Sequence, residues 1–159
     1  MADCYNCRRI ARIQSGDDTR FVVELDTAYV VLGDHQYWRG YTLLIHKRCL
    51  PELHDLPSFE RMRFLEEMSL VAQAVWNVFK PVKLNYEMLG NLVPHMHWHI
   101  FPRHANDPDR LKPVWARMDA LADDPRNKLA DSELVEMKSL LKAEIQRLKT
   151  GSGGGAVAR

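Results

Sequence analysis

Along the chain the spacing of apolar positions changes several times, and each change marks an element. Phe21-Val22-Val23-Glu24-Leu25 and Tyr29-Val30-Val31-Leu32 are short and rich in β-branched and aromatic residues, with Asp26-Thr27 between them. They predict two paired strands, and Tyr41 to Lys47 predicts a third. From Ser58 the period lengthens. Met62, Leu65, Met68, Val71, Val75, Val78 and Phe79 recur at three and four residues, the spacing of one helical face. Pro57-Ser58 and Lys80-Pro81 supply the start and stop of a helix over 58–80. Lys83 to Met88 and His95 to Pro102 are two further strands joined by a turn at Gly90-Asn91. After a stretch holding Pro102, Pro108, Pro113 and Pro125, a second helix over 132–149 aligns Leu134, Met137, Leu141, Ile145 and Leu148 on one face. Hairpin strands with two helices to one side predict an α+β fold around an antiparallel sheet of about five strands.

Composition narrows the functional classes. A length of 159 residues suits one domain, here residues 1–150. Four of the eight glycines fall in Gly151-Ser152-Gly153-Gly154-Gly155, so 151–159 reads as a flexible tail. With 22 Lys and Arg against 21 Asp and Glu, the chain carries a net charge of +1. That argues against a long polyanion such as nucleic acid, which requires several uncompensated cations, but not against one small anion. The apolar runs Tyr29 to Leu32 and Leu43 to Ile45 are too short to span a bilayer. No basic start followed by an apolar stretch opens the sequence, so a cytoplasmic location and no membrane partner are expected. Three cysteines are an odd number, which disfavours a disulfide framework and suits free or metal-bound thiols.

Composition does not explain one cluster. His95-Met96-His97-Trp98-His99-Ile100-Phe101 alternates strictly between imidazole and apolar side chains. On a strand, successive side chains point to opposite faces, so the three histidines share one face while Met96, Trp98 and Ile100 pack on the other. Idle imidazoles along about 13 Å of strand would forfeit core packing there. Two chemistries are open on spacing alone: histidines sharing a catalytic zinc ion, or one imidazole acting as a nucleophile.

Residues around the cluster resemble the histidine-triad (HIT) superfamily of nucleotide hydrolases and transferases, in particular its members similar to diadenosine tetraphosphate hydrolases. The resemblance rests on the triad and on Gly40-Tyr41-Thr42-Leu43-Leu44-Ile45 with Lys47-Arg48. His54-Asp55-Leu56 before the long helix, Gly90-Asn91 before the triad and Pro102-Arg103 after it extend the match. It covers about residues 4–110, with 111–150 as a helical C-terminal extension. It implies a HIT-like sheet with a long helix and a C-terminal helix, a purine nucleotide substrate and a homodimer. By this resemblance His97 is the nucleophile at an α-phosphate, forming a nucleotidyl-histidine that water resolves, and His99 assists the leaving group. Asn91 is expected to donate to phosphate oxygens, the usual need where charge spreads over a phosphoryl group, with an ordinary turn as its other reading. Asn85 is a further polar candidate. Asp34, in Gly33-Asp34, is the ribose candidate, or simply part of a turn.

Cys4-Tyr5-Asn6-Cys7 has the spacing in which two thiolates share a zinc ion, although redox use of such a pair is equally open. Some HIT members hold a structural zinc with such a pair, a histidine after the basic pair and the first triad histidine. Here Cys49 stands after Lys47-Arg48, with His46 before it. The implied site is Cys4, Cys7, Cys49 and His95, with His46 as the alternative to Cys49. Tyr37 and Trp38 read as loop aromatics packing on the core, or as a stacking surface for a base. The stripe of the C-terminal helix reads as covering the sheet or meeting a partner, and His35, His54 and His104 read as surface residues.

Overall fold

The computed structural model describes residues 4–116 and 127–151; the part of the predicted tail beyond Gly151 lies outside them. Among the described residues three α-helices, α1 (Tyr5–Ser15), α2 (Ser58–Phe79) and α3 (Asp131–Gly151), accompany one sheet. Its strands are β1 (Phe21–Glu24), β2 (Ala28–Leu32), β3 (Thr42–His46), β4 (Lys83–Glu87) and β5 (His97–Arg103). All neighbours pair antiparallel in the order β1-β2-β3-β5-β4, so β5 lies inside the sheet between β3 and β4. This is the α+β architecture that the hydrophobic pattern predicts.

The sheet buries both faces, by different means. On one face Val30, Leu32, Leu44, Met96 and Ile100 pack against Phe64, Val71 and Val75 of α2. Leu134, Met137, Leu141 and Ile145 of α3 complete that core, so the α3 stripe is spent inside the chain rather than on a partner. On the other face Tyr29, Val31, Leu43, Ile45 and Phe101 meet Ile10 and Ile13 of α1, together with Trp38 and Tyr41. The β1–β2 turn is fastened to α2 by Glu67, which is buried. Its carboxylate accepts the amide protons of Asp26, at 2.7 Å, and Thr27 and is also bonded by the Thr27 hydroxyl. Those bonds offset the cost of burying the charge.

Two boundaries depart from the sequence reading. The sequence pattern predicts no element over residues 5–15, yet α1 runs there and ends at Gly16, whose φ of +84° lets its amide cap the helix. Strand β5 starts at His97, two residues late. Before it, Met96 exchanges backbone bonds with Leu50 and His46 in an irregular continuation of the ladder. At the other end Arg103, 2% exposed, binds Asp107 Oδ2 at 2.7 Å and the Lys112 carbonyl at 2.7 Å, closing the loop that follows onto the sheet. No helix among the described residues is long and apolar enough to cross a membrane.

Candidate active site and metal centre

Strand alternation turns His97, His99 and Phe101 toward α1 and Met96, Trp98 and Ile100 toward α2. The His97 ring is 8% exposed, and its Nδ1 lies 2.7 Å from the His95 carbonyl oxygen. A carbonyl only accepts, so Nδ1 carries the proton and Nε2 keeps a lone pair. Burial pushes the His97 pKa down, against the opposing effect of that backbone bond, and keeps the ring neutral near pH 7. The His99 ring stands 4.6 Å from that of His97, stacks against Phe101 and sits with Nδ1 2.6 Å from the Tyr41 hydroxyl. Burial first, then His97 and His35, push His99 down to about 3. His95 stands instead with Cys4, Cys7 and Cys49, so among the described residues the three triad histidines do not gather as one set of metal ligands.

Beside His97 a recess of about 200 Å³ is lined by Pro51, Glu52, Met88, Asn91 and Pro94. The structure thus brings Asn91 and His97 to one cavity. The other two polar candidates are engaged elsewhere. Asn85 accepts a bond from Arg103 Nη1 at 2.9 Å. Asp34 pairs with Arg9 at 3.2 Å, accepts from the Tyr5 hydroxyl at 3.1 Å and lines a separate recess with Arg12, Asp18 and Arg20. Trp38 is core, edge-on to Phe101 with centroids 5.2 Å apart, and Tyr37 packs edge-on to Trp38. His54 is exposed, and His104, half-buried, donates to the Arg39 carbonyl. His35 corrects the surface expectation: it is buried against Trp38 and Tyr41, because the segment after β2 folds back over the sheet.

Cys4, Cys7, Cys49 and His95 gather with all four ligand atoms within 4.8 Å of one another. His95 Nδ1 is 3.5 Å from the sulfurs of both Cys4 and Cys7. Ligands tetrahedrally bound at about 2.3 Å (sulfur) and 2.0 Å (nitrogen) stand roughly 3.6 Å apart, so the spacing suits zinc. The rest of His95 is arranged to match. Its Nε2–H donates to the His46 carbonyl at 2.6 Å, which leaves Nδ1 unprotonated and aimed at the thiols. Burial and the neighbouring Cys49 and Cys4 thiols push Cys7 up to about 12, a crowding of sulfurs that a cation relieves. His46 faces the opposite way. Its Nδ1 accepts from the Arg48 amide at 3.1 Å and its ring packs on Phe64, so Cys49 and not His46 stands with the other thiols.

In the sequence Tyr41 reads as the first residue of an ordinary strand. Only the register, which places Leu43 opposite His99, shows that residue 41 shares the histidine face.

The HIT domain family model matches residues 14–106. Among curated proteins, the "Protein hit" of Bacillus subtilis (strain 168) is 28% identical over 119 residues, spanning 71% of this chain and 79% of that protein. Among solved structures, a histidine triad protein from Bradyrhizobium japonicum is 30% identical with a TM-score of 0.68, covering 83% of this chain and 94% of its own. One from Marinobacter aquaeolei VT8 is 25% identical with a TM-score of 0.70, covering 86% and 95%. With the family model spanning more than half of its length, the chain belongs to the HIT domain family.

Proposed function

We propose that this HIT protein is a nucleotide hydrolase that acts at the α-phosphate of a dinucleoside polyphosphate or a nucleoside phosphoramidate, with His97 as nucleophile. The observation that carries this reading is the His97 Nδ1–H bond to the His95 carbonyl, which presents an unprotonated Nε2 from a ring beside the recess. In the first step the Nε2 lone pair forms a bond to the α-phosphorus while the bond to the leaving oxygen or nitrogen breaks, and the leaving group departs with that electron pair, a leaving nitrogen taking a proton from solvent. The His95 carbonyl faces the positive charge that develops on the ring. In the second step water adds to phosphorus and releases a proton to solvent, the P–N bond breaks, and His97 regains its lone pair as the mononucleotide leaves. Asn91 donates to the phosphoryl oxygens throughout.

The same reading assigns zinc to Cys4, Cys7, Cys49 and His95 as a structural ion. Bound there, it supplies a cross-link between α1, the segment after β3 and the entry to β5. Replacing Cys4 with Ser is expected to abolish stoichiometric zinc in metal analysis, whereas a zinc centre built from the triad would retain it. A homodimer is expected in sedimentation, through a surface other than the α3 stripe, and a cytoplasmic location completes the reading.

His97→Asn tests the mechanism. Expected is loss of turnover on adenylated substrates with nucleotide binding retained, and mass spectrometry of the parent protein should detect AMP on His97. Full activity of the variant overturns the reading, as does nucleotide binding without turnover by the parent. Transfer of the nucleotidyl group to added phosphate would mark a transferase rather than a hydrolase.

A further inference from the structure

Tyr41 immediately precedes β3 and is 4% exposed. Its ring stacks on Phe101 at 4.3 Å between centroids, with 12° between the planes. The ring lies where a side chain at residue 33 would have to go: a Cβ on Gly33 would stand 2.1 Å from Tyr41 Cδ1. Room left by that glycine carries the phenol oxygen to within 2.6 Å of His99 Nδ1.

The direction of this bond decides what His99 presents to a ligand. Among the described residues it is the one hydrogen bond of the Tyr41 hydroxyl. If the phenol accepted from Nδ1–H, its own proton would be buried without a partner, a costly arrangement. The hydroxyl therefore donates, and a neutral imidazole that accepts at Nδ1 carries its proton on Nε2. Ionisation does not disturb the pattern near pH 7. Burial raises the Tyr41 pKa strongly, and His99 stays neutral for the reason given above.

We propose that Tyr41 is a positioning residue that locks His99 in the tautomer with its proton on Nε2, so that His97 and His99 offer one substrate opposite functions. His97 supplies an electron pair and His99 an N–H. The chemical use of that N–H rests on the nucleotidyl-transfer reading: it donates a hydrogen bond to the α-phosphoryl or leaving-group oxygen. It keeps its proton throughout, since giving it up would leave an imidazolate beside a protonated phenol.

The test uses full-length protein labelled with ¹⁵N-histidine, without nucleotide, comparing the parent with Tyr41→Phe. The Phe ring still fills the space at Gly33 and stacks on Phe101. Long-range ¹H–¹⁵N spectra should show parent His99 protonated on Nε2 and a mixture of both tautomers in the variant, with the His97 pattern unchanged. On an adenylated substrate, kcat should fall about tenfold with KM nearly constant, because a donor is loosened rather than removed. In a His99→Ala background, Tyr41→Phe should cost nothing further. A parent His99 protonated on Nδ1 overturns the proposal even if the variant fails to fold. So does an unchanged tautomer in the variant, or a further loss of rate in the His99→Ala background. The spectra are recorded without substrate, so a failed hydrolase reading leaves the tautomer result standing. Full activity of His97→Asn, conversely, would sink only the nucleophile.

Discussion

Strand β5 presents two surfaces that are almost equally buried and built on different rules. Toward α2 and α3, Met96 just before the strand and Ile100 within it fill space, and their neighbours ask only for apolar volume. Toward α1, His97 is 8% exposed and His99 half-buried, yet each sits in place through a particular bond, to the His95 carbonyl and the Tyr41 hydroxyl. Burial alone therefore does not distinguish a residue that fills space from one held by a polar partner. What distinguishes them is whether a substitution of equal size would leave a polar partner unsatisfied. The first surface stores stability; the second holds orientation.

Paired substitutions can break that contrast. The largest effect is expected on the histidine side, where His97→Asn should lower turnover by about a thousandfold or more. Its melting temperature should move by only a few degrees in a thermal scan. The reverse is expected one turn of alternation away. Ile100→Ala opens a cavity in a fully buried position and should cost about 2–5 kcal/mol in denaturant unfolding, with kcat unchanged where the variant is folded. If His97→Asn instead unfolds the protein, or Ile100→Ala selectively loses kcat, the division between the surfaces fails.

Smaller effects sharpen it. Asn91, exposed at the rim of the recess, should on replacement by Ala lower kcat/KM by about ten- to a hundredfold, read in initial rates, with no change in melting. Acid should expose the histidine side through stability. The His99 pKa is about 3 when folded against an ordinary 6.5, so between these values the unfolded chain binds a proton that the native one refuses. Its contribution is complete above about pH 6.5 and declines as the pH falls toward 3. The lowered values of His97 and His35 act in the same direction. Denaturant midpoints from pH 7 to 5 should fall, and less steeply in His99→Gln than in Ile100→Ala, which keeps the imidazole.

Sequence periodicity made the helix side and the triad legible, because both repeat: every three or four residues along α2, every two along β5. Helix α1 escaped because Ile10 and Ile13 are the only large apolar residues it buries. Arg9, which looks solvated in the sequence, is buried by ion pairs with Asp18 at 3.1 Å and Asp34. The same pairing holds Asp34, the ribose candidate by resemblance, in a different recess from His97. Cys4 and Cys7 announced themselves by spacing, but Cys49 joins them through the path of the chain after β3. The partners of Tyr41 and His35 follow from strand register and from the fold of residues 33–41, neither of which is a local property.

For anyone building a library around His99, positions 33 and 41 are one variable and not two. A Cβ at residue 33 and the ring at residue 41 claim the same volume, so a larger side chain on one is admissible only with a smaller one on the other. Randomising either alone would sample mostly chains in which the two side chains collide, whereas varying them as a pair exchanges one packing for another.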